Sequence, residues 1–194
     1  MSTAERVRLF HAGYAVIHQF GIINGLTPSP EINVYARSKW LVGACAYYRQ
    51  DQIAICLDAC APIGWGGRAL SYPGNISDRT PYGVLAHELG HHYDFYAGSK
   101  RGDYWSEFSA SLRVRTREKP ITSYAPDDAE WFAEIFRLFV TNPDLLRIIR
   151  PKTFEALLTR LTPLFSDTWQ SRLAGAPDWC LASVTARVAR AMGG

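Results

Sequence analysis

The sequence predicts an α+β fold: a small N-terminal sheet, then a mainly helical lobe that carries the most distinctive chemistry. Short runs rich in β-branched and aromatic residues fill positions 32–57, apolar residues recur at helical spacing from position 81 onward, and prolines recur at positions that suit the first turn of a following helix. A chain of 194 residues is expected to form one domain with a core that needs no disulfides. Residues 1–79 would supply a helix, the sheet and a loop, and residues 80–194 the helical lobe.

The elements follow in order. Val7, Phe10, Tyr14 and Ile17 recur at helical spacing after a cap at Ser2 or Thr3, which predicts a first helix ending near Gly21. His11 and His18 lie within it and read as surface or packing residues, because no carboxylate or second histidine stands at ligand spacing. Strands are expected over 32–36, 40–48 and 52–57, with a hairpin at Arg49-Gln50-Asp51 that leaves one strand near a sheet edge, where an extended peptide could add. Residues 61–82 contain Pro62, Gly64, Gly66, Gly67, Pro73, Gly74 and Pro81, too many breakers for regular structure and without phosphate-loop spacing. They read as a loop that Trp65 pins to the core. Helices are then expected near 81–97, 103–113, 127–141, 152–161 and 177–191, with Pro143, Pro151, Pro163 and Pro177 as punctuation.

Composition narrows the function classes. Hydrophobic residues make up 47% and charged residues 20%, as in a soluble globular protein. A net charge of +3 is too small to argue for a nucleic-acid partner, and the six basic residues between Lys100 and Lys119 read as a solvated surface. No stretch approaches the roughly 20 apolar residues that cross a bilayer, so no membrane partner is expected. The first 20 residues lack the apolar core of a signal peptide, which implies a cytoplasmic protein or one released without a classical signal. Cys45, Cys56, Cys60 and Cys180 form no CxxC pair and read as reduced thiols. Nothing in the sequence bears on oligomeric state.

One segment carries chemistry. In His87-Glu88-Leu89-Gly90-His91 the histidines are four apart, so on a helix both imidazoles leave the same face and can reach one ion. Glu88 leaves at another angle, where it can accept a proton from water at that ion, the role of a general base in amide hydrolysis. His92 points away from the pair, and Asp94, three positions past His91, stands where it can buttress that histidine. A catalytic zinc needs a third protein ligand and hydrogen-bonding partners for the outer imidazole nitrogens. Glu130 and Glu134 are again four apart, on a helix whose other positions, Trp131, Phe132, Ile135, Phe136 and Phe139, are apolar. Spacing alone does not choose between them.

These segments resemble the lethal-factor-like family of gluzincin metalloproteases. The resemblance rests on His-Glu-Leu-Gly-His-His-Tyr-Asp-Phe-Tyr-Ala-Gly at 87–98, Thr122-Ser123-Tyr124, Ala-Glu-Trp-Phe-Ala-Glu-Ile-Phe-Arg-Leu at 129–138, and Pro151-Lys152-Thr153-Phe154, in the family's order. Residues 1–79 match only in general pattern. The resemblance implies a zincin-like fold and a Zn²⁺ cofactor held by His87, His91 and Glu130. It makes Glu88 the general base, has Glu134 orient a ligand histidine, and has the Tyr124 phenol hydrogen-bond the developing oxyanion. The implied activity is that of an endopeptidase acting on a protein or peptide. The alternatives are an aminopeptidase-type hydrolase of small substrates and a non-catalytic, zinc-stabilised binding protein; Glu88 argues against the latter, since a structural zinc has no use for a base.

Overall fold

The structure, a computed structural model, describes residues 4, 30–35, 45–49, 51–56, 81–99, 107–122, 127–141 and 143–161. Three short strands are present among them: β1 (Glu31–Tyr35), β2 (Ala46–Arg49) and β3 (Gln52–Cys56). They pair in the order β1-β3-β2, with β1 parallel to β3 and β2 antiparallel to it. The middle strand carries the apolar run: Ile53, Ala54, Ile55 and Cys56 are all buried, as a strand covered on both faces must be. β1 and β2 keep exposed positions, among them Val34, Tyr35 and Tyr47. The hairpin between β2 and β3 turns through Asp51 at a φ of 66°, a left-handed conformation that aspartate tolerates better than most residues. Cys45 packs against the core into which Cys56 is buried.

Five helices follow among the described residues: α1 (Pro81–Ser99), α2 (Glu107–Thr116), α3 (Asp128–Thr141), α4 (Pro143–Ile149) and α5 (Pro151–Leu161). The architecture is thus α+β, a small sheet with a largely helical remainder. The seven-residue α4 has no counterpart in the sequence-based expectation. The expected first helix with His11 and His18, the 61–82 loop with Trp65 apart from Pro81 and Tyr82, which open α1, the 177–191 helix, and Tyr124, Cys60 and Cys180 lie outside the described residues.

α3 is the central helix. Trp131, Phe132, Ile135, Phe136 and Phe139 are each at most 1% exposed, so it is surrounded on all sides rather than laid on a surface. Burial of each such side chain stabilises the fold by about 1.5–3 kcal/mol. Tyr93 of α1 stacks on Phe132 and Phe136, and Phe108 of α2 meets Phe132 edge-on. α1 lies between this helix and the sheet, touching β2 and β3 as well as α3.

The contact between α1 and α3 is set by Gly90. A Cβ placed there would lie 2.9 Å from Ala133 Cα and 3.1 Å from Phe136 Cβ, so the helices approach more closely than any side chain at 90 would allow. The remaining helices are braced through residues 117–120. Glu118 accepts hydrogen bonds from the Lys152 and Thr153 amides (3.1 and 2.8 Å) and from the Thr153 hydroxyl (2.7 Å), capping α5. Arg150 donates to the Lys119 and Pro120 carbonyls.

Candidate metal centre

The helix that carries His87 and His91 begins at Pro81, where a missing N–H costs nothing and the fixed φ suits the first turn. The helix that carries Glu130 and Glu134 is fixed at its start by Asp127, whose Oδ1 accepts the Glu130 amide hydrogen at 2.8 Å. Glu130 is therefore held in a capped first turn, where a negative side chain also favours the helix dipole.

Side by side, the two helices present matching patterns. On α1 the row is His87, Gly90, His91; on α3 it is Glu130, Ala133, Glu134. Each has a small residue three positions after its first polar residue, and Gly90 meets Ala133. That close approach brings the polar side chains of one helix onto those of the other.

Three donor atoms converge there. His87 Nε2 and His91 Nε2 are 3.1 Å apart, and Glu130 Oε2 lies 3.2 Å from the first and 3.6 Å from the second. An ion with bonds of about 2.0–2.1 Å in tetrahedral geometry spaces its donors about 3.3–3.4 Å apart. The triangle matches that spacing. Glu130 Oε2 is inaccessible to solvent and receives no hydrogen bond of proper geometry, although both imidazoles are near. Three lone-pair atoms drawn together in a protected position need a positive charge between them, and His87, His91 and Glu130 form a group that can hold a metal ion.

Electrostatics give the same answer for the metal-free protein. Burial disfavours a charged His87, but the adjacent Glu130 and Glu134 carboxylates outweigh it and raise its pKa to about 9. Burial likewise works against a charged Glu130, and the two histidines overcome it, lowering its pKa to about 2. Without a metal, a proton takes the place of the cation.

Glu134 turns to the other side of His87. Its Oε1 is 2.9 Å from His87 Nδ1, and its Oε2 accepts a hydrogen bond from Arg137. Burial raises the pKa of this carboxyl, yet Arg137 and His87 hold it below the ordinary value, so it stays ionised. With Glu134 Oε1 beside Nδ1 at 2.9 Å, a proton on that nitrogen leaves the lone pair of Nε2 for an ion. Glu88 is buried, which raises its pKa, and the charges of His87, His91 and Glu130 all act on it. Its carboxyl is therefore within electrostatic reach of the donors.

His92 faces the opposite way, toward the sheet. Its Nδ1 is 3.2 Å from the Tyr48 hydroxyl and 3.7 Å from Asp51 Oδ1, while Tyr48 and Tyr96 both donate to Asp51. Burial and the Asp51 carboxylate push the Tyr96 pKa up to about 12, so its phenol remains a donor. This group ties the hairpin turn to α1. Asp94 is buried on α1. Sequence reasoning gave no role to Gly90 or Arg137. An arginine three residues after Glu134 on an apolar helix was the available signal for the second. Compared with protein-family models, curated proteins and solved structures, the chain matches none.

Proposed function

We propose that the protein is a zinc-dependent peptidase with His87, His91 and Glu130 as metal ligands and Glu88 as general base. The observation that carries this reading is the triangle of His87 Nε2, His91 Nε2 and Glu130 Oε2, at 3.1, 3.2 and 3.6 Å, beside a buried glutamate. Two imidazoles and one carboxylate are a common donor set for catalytic zinc, and three protein donors leave a position open. Zinc bound there supplies Lewis acidity, acidifying water and polarising a carbonyl.

The chain's own residues do the rest. Glu134 keeps the proton of His87 on Nδ1 and so fixes the ring's direction. Glu88, raised in pKa by burial, is a better proton acceptor than an exposed glutamate and can pass that proton to the leaving amine. A binding protein stabilised by zinc would have no reason to bury this carboxyl beside its first ligand.

The test is hydrolysis of an unfolded protein substrate. Activity should disappear with a chelator and return with zinc, and Glu88→Gln should lower turnover by roughly 10²- to 10⁴-fold at unchanged zinc content. Near-normal turnover in that variant would remove Glu88 from the mechanism.

A further inference from the structure

We infer that Arg137 is a positioning residue for the metal centre, acting through Glu134 on His87; this rests on the reading of His87 as a metal ligand. The two oxygens of the Glu134 carboxylate are divided between two partners. Oε1 lies 2.9 Å from His87 Nδ1, and Oε2 takes the Arg137 guanidinium. A carboxylate held at one oxygen alone can turn about its terminal bond, which carries a broad torsional well. Held at both, it has one orientation, and so does the imidazole it meets.

The location argues for more than local pairing. Glu134 is 1% exposed and Arg137 6%, within a stretch, 131–140, otherwise filled by aromatic and aliphatic side chains. An ion pair at such a depth costs desolvation that its own attraction seldom exceeds, and apolar residues of equal size commonly serve stability as well or better. Its placement has a different consequence. The chain of contacts runs from Arg137 through Glu134 to His87 Nδ1, and His87 Nε2 is one corner of the donor triangle. Arg137 thus sets the direction of a donor it does not touch. Its planar fork suits that task better than a lysine ammonium would.

The experiment measures zinc affinity by chelator competition at one pH for the wild type, Arg137→Met, Glu134→Gln and the double variant, with thermal unfolding recorded for each. Orientation of a metal-bound histidine is typically worth about 10- to 100-fold in affinity. Arg137→Met should fall in that range, and adding it to Glu134→Gln should change affinity by less than about twofold, because the residue it acts through has already lost its charge. Should Arg137→Met fail to fold, the comparison of the double variant with Glu134→Gln keeps the assignment open to refutation, since a further loss of more than about twofold there would overturn it. Wild-type affinity in Arg137→Met, or a loss that adds in full to that of Glu134→Gln, would overturn the assignment. Failure of the wild type to bind zinc is a separate result, which rejects the metal centre itself.

Discussion

Glu130 and Glu134 differ by one helical turn and by what they touch. Glu130 Oε2 meets both imidazole Nε2 atoms, whereas Glu134 Oε1 meets only the outer nitrogen of His87. Loss of a direct donor costs a metal bond and part of the neutralising charge, while loss of an orienting carboxylate costs about 10- to 100-fold. Glu130→Ala should therefore lose zinc more severely than Glu134→Ala when both are titrated in the same buffer. A weaker-binding Glu134→Ala would place the third ligand one turn further along. The same residues predict a pH dependence for the metal-free protein. The pKa of His87 is raised from 6.5 to about 9, so its stabilisation is complete below about 6.5 and is lost as pH rises through about 9. That of Glu130 is lowered from 4.5 to about 2, so its share is complete above about 4.5 and is lost as pH falls through about 2. The pair is at full strength between about 4.5 and 6.5. Thermal unfolding of the metal-free wild type should drop from pH 6.5 to 9 more than that of His87→Gln; parallel curves for the two would show that His87 holds no such proton.

At the scale of elements, the contact between α1 and α3 is the decisive one, and Gly90 allows a prediction of sign. In an open helix, Gly→Ala stabilises by about 1 kcal/mol through propensity alone. At this position the new methyl would lie 2.9 Å from Ala133 Cα, and backbone cannot yield as a flexible side chain would. Gly90→Ala should instead destabilise, by roughly 1–3 kcal/mol as overpacked cores do, and should weaken zinc binding by separating the donors. Denaturant unfolding that shows a gain in stability would contradict the close approach. Much at this scale was legible in the sequence. The turn at Asp51, the histidine pair on one helix face and the carboxylate pair on another follow from local periodicity. α4 was not, because seven residues between Pro143 and Pro151 are too few to display a period. Nor was the parallel pairing of β1 with β3, since register between distant strands depends on partners that local pattern does not name. The choice of Glu130 as the carboxylate facing both imidazoles likewise depends on how α1 meets α3.

For the whole molecule, a metal at this position would join α1, which rests on the sheet, to α3, the centre of the helical core. Zinc would then stabilise the fold as well as supply chemistry: at a free concentration one hundred times Kd, binding adds about 2.7 kcal/mol. No helix among the described residues is long and apolar enough to cross a membrane. The most direct measurement is a calorimetric zinc titration of the metal-free wild type beside His91→Ala. One zinc per chain for the wild type, with affinity lost in His91→Ala, is the result expected if His87, His91 and Glu130 hold the ion. No zinc uptake by the wild type, or equal uptake by His91→Ala, would contradict it.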